Sequence, residues 1–308
     1  MKIGALIVTT GLSRISGVTA LLLPVGTITA GQRMISVFQY AGADLVGLVV
    51  GPEDKKSERQ LAQNGVVFFR CSSSSAAFFQ GLKEGLSFML GKFDRVFVLP
   101  GDIPLVLPKT LEALLKSDAN IVQPETRHVN GYPILLDKPA MELIVSQPTK
   151  EAAEQAVVRQ GLRFESVPVE DSGIFLRGED MSHKQELIER QSNQLSRPIA
   201  EVAICNGSPL YDSRLAMLLH LVEDTRSVQD ACSLMQISYS TAWKMLNHVE
   251  DELGFPLVVR NRGGASGNGT VLTEKGKAFM NAYDRFSADL NREAQRLYTQ
   301  LFDTSIEN

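Results

Sequence analysis

Two segments of the sequence place residues suited to phosphate chemistry directly after predicted strands. The first predicted strand, Ile3–Val8, runs into a glycine-rich turn, whose backbone N–H groups can approach a nucleotide phosphate closely. The alternative is that these glycines serve only the geometry of a βα turn. The candidate nucleotide-binding residues of this turn are Thr10, Gly11, Ser13, Arg14 and Gly17.

The second candidate is an aspartate at the end of another apolar run. Asp102 follows Val96–Leu99, at the carboxyl end of a predicted strand, where open α/β sheets bind their ligands. A carboxylate that faces a triphosphate is suited to hold Mg²⁺, so Asp102 is the candidate catalytic and metal-binding residue. The alternative is an aspartate that caps or precedes the helix predicted to begin near Pro108.

The elements that must position these residues follow from an alternation of short aliphatic runs and amphipathic segments in residues 1–180. This pattern predicts an α/β domain with a mostly parallel sheet that helices cover on both faces. Strands are predicted at Ile3–Val8, Asp44–Val50, Val66–Phe69, Arg95–Leu99, Ile121–Pro124, Ile134–Leu136 and Phe164–Pro168. Helical segments are predicted at Met34–Tyr40, Ser57–Gln63, Ala76–Leu90 and Pro108–Leu115.

Together these motifs resemble the MobA/MocA-like nucleotidyltransferases, over about residues 3–183. Besides the glycine turn, the resemblance rests on Leu22–Gly26, Gly101–Leu105, Gly131–Leu135 and Asp171–Ile174. It implies a Rossmann-like fold and the Mg²⁺-dependent transfer of GMP or CMP from GTP or CTP to molybdopterin. It also implies that Asp102 is the metal-binding aspartate and that Glu179 is the second acidic ligand.

The sequence departs from this family where the triphosphate is held. The lysine that precedes Leu-Leu-Pro in the family is Ala20, and the Arg-Met-Gly of the first loop reads Ile15–Gly17. Losing such cations lowers transition-state stabilisation, which favours ligand binding over efficient transfer. Arg14, Arg33 or Arg127 could supply the lost charge, with solvated surface arginines as the alternative. His128, beside the family's substrate-facing loop, reads as structural or exposed rather than catalytic.

From Tyr211 onward the pattern is almost entirely helical and predicts a helix-turn-helix. Leu210–Glu223 has a single apolar face, and Ser227 is placed to cap a short helix at Val228–Met235. Gln236–Ser238 makes a three-residue turn before the helix Tyr239–Leu253. The second helix of such a pair enters the major groove of DNA.

A two-stranded wing is predicted after this motif, in Phe255–Arg260 and Gly269–Thr273, with a glycine-rich tip. Helix-turn-helix, wing and Leu-Thr-x-x-Gly, in this order, resemble the LysR-type winged domain and, over about residues 207–286, the DNA-binding domain of ModE regulators. The alternative is a winged fold used for protein contacts. The candidate residues for binding double-stranded DNA are Ser238, Tyr239, Ser240, Thr241, Lys244, Asn247, Arg260 and Arg262.

The charge distribution limits the strength of DNA binding. The chain carries 31 basic and 35 acidic residues, a net charge of −4, which excludes a polybasic coat protein. The acidic residues of the C-terminal half lie mainly in the early helices and at the end of the recognition helix, whereas residues 253–280 carry a local charge of about +3. We therefore expect modest, salt-sensitive affinity.

The last predicted helix carries apolar residues at steps of four and three, typical of a short coiled coil. Paired chains would present two recognition helices to a two-fold operator, so we expect a homodimer. The alternative is a helix that packs on its own domain. The candidate dimerisation residues are Phe279, Tyr283, Phe286, Leu290 and Leu297.

The domain prediction is a nucleotidyltransferase-like domain at 1–183, a helix and linker at 184–207, and a winged domain with its dimerisation helix at 208–308. Three cysteines without C-x-x-C spacing, and no apolar run of membrane-spanning length, predict a cytoplasmic protein without membrane partners. The leading hypothesis is a regulator of molybdenum-cofactor metabolism whose N-terminal domain senses a nucleotide or molybdopterin-type ligand. The alternatives are an active cytidylyl- or guanylyltransferase and a scaffold for cofactor enzymes.

Overall fold

The computed structural model describes residues 1–12, 19–52, 54–71, 77–178, 188, 198–261 and 269–303. The chain forms two compact units, Met1–Ser196 and Arg197–Asn308. None of the helices in the described ranges is long and apolar enough to cross a membrane.

The N-terminal unit is an α/β domain. Its strands are β1 Ile3–Val8, β2 Pro24–Val25, β3 Ile28–Thr29, β4 Leu45–Val50, β5 Val66–Arg70, β6 Arg95–Pro100, β7 Ile121–Thr126, β8 Val129–Asn130, β9 Ile134–Asp137 and β10 Phe164–Pro168. Its helices are α1 Ala30–Tyr40, α2 Lys55–Leu61, α3 Phe78–Met89, α4 Pro108–Leu115, α5 Lys138–Ser146 and α6 Lys150–Gln160.

The main sheet has the strand order β10-β7-β9-β6-β1-β4-β5, with β8 paired to β7. Adjacent strands are parallel except at β9, which runs antiparallel to both β6 and β7, and at the short β8, which runs antiparallel to β7. The mostly parallel sheet expected from the sequence is confirmed. In the register of β1 with β6, Val8 lies opposite Pro100, so the residues that follow these two strands meet at one edge of the sheet.

The two faces of the sheet are covered by different helices. On β1, Ala5 and Ile7 belong to the apolar core that also contains residues of α1 and α4, among them Phe38. On the opposite face, α3 approaches so closely that a Cβ at Gly85 would lie 2.9 Å from the Leu6 side chain. This second face is shared by α3, α5 and α6.

Several helices begin at a capping residue that fixes their first turn. Thr29 and Gln32 form a reciprocal capping box, which starts α1 at Ala30, four residues before the apolar periodicity begins at Met34. A Gln or Glu three residues after a Thr is the signal that would have located this start from the sequence.

The C-terminal unit contains three helices before its wing: α7 Ser213–Thr225, α8 Val228–Met235 and α9 Tyr239–Leu253. Ser227 and Ser238 cap α8 and α9 at the positions that the sequence predicts, each accepting a hydrogen bond from the backbone N–H three residues later. Gln236, with φ of 56°, ends α8 in the left-handed conformation and turns the chain toward α9.

The segment before these helices differs from the predicted linker. Ala203–Asn206 (β11) and Ser208–Asp212 (β12) form an antiparallel hairpin around Gly207, whose φ is 74°. A glycine is needed for this tight turn because its φ is positive. Residues 203–207 are therefore part of the folded C-terminal unit.

The wing and the last helix complete the C-terminal unit. Strands β13 Val258–Asn261 and β14 Gly269–Leu272 pair in an antiparallel ladder, and α10 runs from Glu274 to Tyr298. Gly276 in the first turn of α10 lies so close to the wing that a Cβ there would be 2.3 Å from the Leu257 carbonyl oxygen. The wing base and the start of α10 are thus packed together.

Candidate functional site

Asp102 lies at the carboxyl edge of the sheet, in the turn after β6. Its carboxylate forms an ion pair with the guanidinium of Arg177, and its backbone carbonyl accepts a hydrogen bond from Gly178 N at 2.7 Å. The second carboxylate oxygen, Oδ1, is buried, and no described residue donates a hydrogen bond to it. Asp102 is therefore neither a helix cap nor a freely solvated carboxylate.

A buried network fixes the loop after Asp102 to the segment that carries Arg177. The Asp171 carboxylate, 3% exposed, accepts hydrogen bonds from Leu107 N at 2.8 Å, Thr110 Oγ1 at 2.7 Å and Gly173 N at 2.8 Å. Gly173 fits only without a side chain, since a Cβ would lie 1.9 Å from the Leu105 carbonyl oxygen. Asp171 thereby sets the path of the chain toward Arg177.

Arg33 is part of this network and not a phosphate-binding or surface arginine, so both readings of it from the sequence are wrong. Its side chain is 1% exposed, and its Nε donates to the Pro104 carbonyl oxygen at 3.0 Å. Burial lowers the pKa of Arg33 to about 10, while the Asp171 charge opposes this shift. Burial likewise raises the pKa of Asp171, against its three hydrogen bonds and Arg33.

The glycine turn is described only at its start. Thr10 is 2% exposed, and Gly11 has a φ of 73°, which glycine adopts without strain. Ser13, Arg14 and Gly17 lie outside the described residues. Ala20, at the position of the family's lysine, is buried and brings no charge to this edge.

Arg127 and His128 occupy the two-residue turn between β7 and β8, both with positive φ and both exposed. His128 Nδ1 lies 3.4 Å from Glu125 Oε1, with its side chain fully exposed. The exposed position of His128 agrees with the prediction that it is not catalytic. Arg127 is a solvated surface arginine, the alternative that the sequence left open for it.

Among the described residues, this edge of the sheet offers one ligand for Mg²⁺, the carboxylate of Asp102. Asp102 Oδ1 is an unpartnered carboxylate oxygen, which a hard cation accepts as a ligand, but the other oxygen is neutralised by Arg177. Glu179 lies outside the described residues. No cluster of three or more His, Cys, Asp or Glu side chains exists in the part of the chain that the structure describes. If Mg²⁺ binds at this edge, Asp102 is the described residue that would hold it.

The recognition helix α9 exposes the polar side that the sequence assigns to DNA. Its apolar face, Ala242, Leu246 and Val249, is buried in the C-terminal unit. Thr241 is half-buried, and its hydroxyl lies 2.7 Å from Ser238 Oγ, so these two hydroxyls first serve the helix cap. The exposed candidates on this helix and its cap are Ser238, Tyr239, Ser240, Lys244 and Asn247.

Arg260 on the wing is held by the recognition helix. Its guanidinium carbon lies 4.5 Å from the centre of the Trp243 ring, and its Nη2 donates to the Tyr239 hydroxyl at 3.1 Å. Tyr239 and Trp243 also contact each other edge to face. Stacking of arginine on tryptophan is the favoured cation–π geometry. Arg260 therefore joins the wing to α9, a role that sequence reasoning missed, while Arg262 lies outside the described residues.

The apolar positions of α10 fall into two groups. Tyr283 is buried, donates to the Val202 carbonyl oxygen at 2.7 Å and packs with Phe279 around Tyr211 of the same unit. Tyr283, and largely Phe279, are thus part of the core of their own unit, which corrects their assignment to a dimer seam. Phe286, Leu290 and Leu297 are 50%, 38% and 41% exposed, so they remain candidates for contact with a second chain.

Comparison with known proteins gives two family matches. Residues 5–165 match the family described as MobA-like NTP transferase domain, and residues 214–277 match the bacterial regulatory helix-turn-helix proteins of the lysR family. A nucleotidyl transferase from Methanothermobacter thermautotroptrophicus has a similar fold, with a TM-score of 0.50 and 17% identity over 61% of this chain and 98% of that one.

Two curated relatives match the C-terminal half. The molybdenum transport protein ModE of Azotobacter vinelandii is 32% identical over 95 residues, which are 31% of this chain and 35% of that protein. The transcriptional regulator ModE of Haemophilus influenzae is 30% identical over 95 residues, 31% of this chain and 36% of that protein. This chain thus spans about a third of the length of these relatives. Its winged domain is ModE-like, and its N-terminal unit is nucleotidyltransferase-like.

The buried network predicts a large loss of stability in Asp171→Asn. The change removes a buried negative charge that accepts three hydrogen bonds and interacts with the Arg33 guanidinium, so we expect the free energy of unfolding to fall by about 3–5 kcal/mol. Urea unfolding, followed by circular dichroism, measures this. The neighbouring exposed carboxylate in Glu170→Gln serves as the control and should change stability by less than about 0.5 kcal/mol. Equal stability of the two variants would show that the Asp171 network does not stabilise this site.

The stack on Trp243 predicts that Arg260 positions the wing rather than neutralising a phosphate. Because Trp243 is the sole tryptophan, its emission reports the contact directly. Arg260→Met should shift that emission and weaken DNA binding by about 2- to 5-fold, as expected for an exposed cation–π contact of about 0.5–1 kcal/mol. The slope of log affinity against log salt should stay unchanged.

The control for this experiment is Lys275→Met, which removes a wing-side cation that contacts Phe255 instead of Trp243. It should leave the emission unchanged. A salt slope that falls by about 1 in Arg260→Met, with unaltered emission, would identify Arg260 as a phosphate contact instead.

Proposed function

The chain belongs to the family of the MobA-like NTP transferase domain, and we propose that it is a DNA-binding transcriptional regulator in which this domain senses a ligand of molybdenum-cofactor metabolism. The observation that carries the proposal is that one chain combines a LysR-type helix-turn-helix with an altered transferase-like site. The recognition helix exposes Lys244 and Asn247. In the transferase-like site, Ala20 stands at the position of the family's lysine, and Arg177 forms an ion pair with Asp102. The proposal includes a cytoplasmic location.

The link to molybdenum rests on two similarities that are independent of each other. The N-terminal half resembles enzymes that act on molybdopterin, and the C-terminal half is similar to proteins named for molybdenum transport and transcriptional regulation. The ligand proposed for the N-terminal domain is accordingly a nucleotide (CTP or GTP) or a molybdopterin-type compound. A ligand can shift DNA binding only by as much as its affinity differs between the DNA-competent state and the other state.

The altered site supports sensing over catalysis. Triphosphate transfer needs cations that stabilise charge developing in the transition state, and the family's lysine position holds the buried Ala20. Arg177 supplies a positive charge, but that charge is already paired with Asp102. The second candidate function, an active cytidylyl- or guanylyltransferase with an accessory winged domain, is favoured by one observation, the unpartnered Oδ1 of Asp102.

A pyrophosphate assay separates the two functions. With CTP or GTP, Mg²⁺ and molybdopterin, a sensor should release no pyrophosphate above the background of Asp102→Ala. Release by the unaltered protein that disappears in Asp102→Ala would establish the transferase and end the sensor-only proposal.

DNA binding is predicted to depend on Lys244, which is exposed on the recognition helix. A duplex selected by the protein from a random-sequence pool is labelled, and its affinity is measured by fluorescence anisotropy. Lys244→Ala should weaken binding by about 5- to 150-fold, equivalent to about 1–3 kcal/mol for a base or phosphate contact. Arg285→Ala, an exposed cation on α10, is the charge-matched control and should bind like the unaltered protein. If both variants bind equally well, the winged domain does not use α9 to read DNA.

Dimerisation is predicted to use the exposed part of α10. Leu290 and Leu297 are separated by one heptad, so paired helices would bring both to the same seam. The double change Leu290→Asp and Leu297→Asp should convert the dimer into a monomer in sedimentation velocity and weaken binding to a two-fold operator. Ala288→Asp, on the exposed side of the helix away from the seam, should remain dimeric. A monomeric unaltered protein at micromolar concentration would contradict the proposal.

A further inference from the structure

The sheet of the N-terminal unit is incompletely covered on one face. Strands β7 and β9 lie inside the sheet, and their residues Val122 and Leu135, on the face of α1 and α4, are fully buried. On the face shared by α3, α5 and α6, the corresponding Ile121 and Ile134 are half-exposed. Interior strands of a mostly parallel sheet are normally buried on both faces, so an apolar surface is left open here.

The open surface is the floor of a cavity of about 810 Å³. This volume falls within the range of about 300–1,000 Å³ that is typical of small-molecule sites. Its walls are mostly apolar and come from the start of α3, from α5 and α6, from the end of β6 and from Leu12 after β1. The apolar residues that contribute include Leu12, Phe78, Phe79, Tyr132, Ile144 and Val157.

The charged side chains that line the cavity cancel in number, with Lys150 and Arg177 against Glu151 and Glu154. Lys150 pairs with Glu154 at 3.5 Å, and both are about two-thirds exposed, which places this pair at the mouth. Arg177 lies at the end of the cavity nearest Asp102, its ion-pair partner. The described walls therefore offer no surplus of positive charge for a triphosphate, but they include the guanidinium of Arg177, a group with five N–H donors in a planar fork that matches an acidic group.

We propose that this cavity binds a small molecule that has an aromatic or aliphatic body and a single acidic group. The body lies on Phe78, Phe79 and Ile134, where it covers the open face of the sheet, and the acidic group accepts hydrogen bonds from Arg177. Burying such a body against these apolar side chains removes apolar surface from water, which favours binding. The proposal narrows the ligand of the sensing role described above to a compound with one acidic group, which excludes CTP and GTP from this cavity, and it rests on that role for its biological meaning.

The amphipathic dye 8-anilinonaphthalene-1-sulfonate tests the proposal on the full chain, because it combines an aromatic body with one acidic group. Saturable binding with one dye per chain is expected. Val157→Asp, which places a charge in the cavity wall, should weaken the affinity at least ten-fold. The adjacent Val158→Asp, at a position that is 81% exposed and outside the cavity lining, should leave it unchanged. Equal dye affinity in both variants, with unchanged circular dichroism spectra, would overturn the site.

The role of Arg177 is tested with a neutral analogue of the dye. N-phenyl-1-naphthylamine has the same aromatic body without the sulfonate. Arg177→Gln should weaken the sulfonated dye several-fold and leave the neutral one unaffected. Equal losses for the two dyes would overturn the assignment of the acidic group to Arg177. Since no DNA is present in these titrations, a failure here is distinguishable from a failure of the regulatory proposal, which the anisotropy measurements decide.

Discussion

The carboxylate of Asp171 is the interaction on which the N-terminal site depends. It is buried and joins three places that are far apart in the sequence: Arg33 on α1, the loop from Pro104 to Thr110, and the turn at Gly173. A buried charge is tolerated only when its hydrogen bonds and counter-charge are complete, so these segments are held in one arrangement. That arrangement brings Arg177 to Asp102. The chemistry of the edge is therefore set by a network that takes no direct part in it.

The elements that could be predicted from the sequence are those fixed by local signals. Ser227 and Ser238 were correctly predicted as helix caps, because a serine hydroxyl directly before an apolar helical face can accept a hydrogen bond from a free backbone N–H of the first turn. The strands at Ile3–Val8 and Phe164–Pro168 were also predicted with their observed bounds. For the helices, the apolar periodicity and the capping serine indicate the same boundary, and no contact with a distant residue shifts it.

The roles that could not be predicted depend on contacts between distant residues. Arg33 reads as a surface or phosphate-binding arginine until Asp171, 138 positions away in the numbering, is known to face it. Arg260 reads as a phosphate contact until the register of the wing places it over Trp243. Tyr283 fits a heptad as well as Leu290 does, and only the hairpin before α7 shows that it is enclosed. Pattern alone cannot separate a residue's own core from an interface, because both require the same apolar spacing.

The departures at the transferase-like edge have a common physical consequence. A metal ion and a mobile lysine can strengthen their interactions as charge moves onto a leaving group, which is what catalysis requires. Arg177 is instead paired with Asp102, so part of its positive charge is already neutralised before any ligand binds. In the sensing role that we propose, interactions that are equally strong in the bound ligand and in a transition state would support affinity without turnover. An edge built in this way, next to an apolar cavity, suits a domain whose output is a bound state that a DNA-binding unit in the same chain can use.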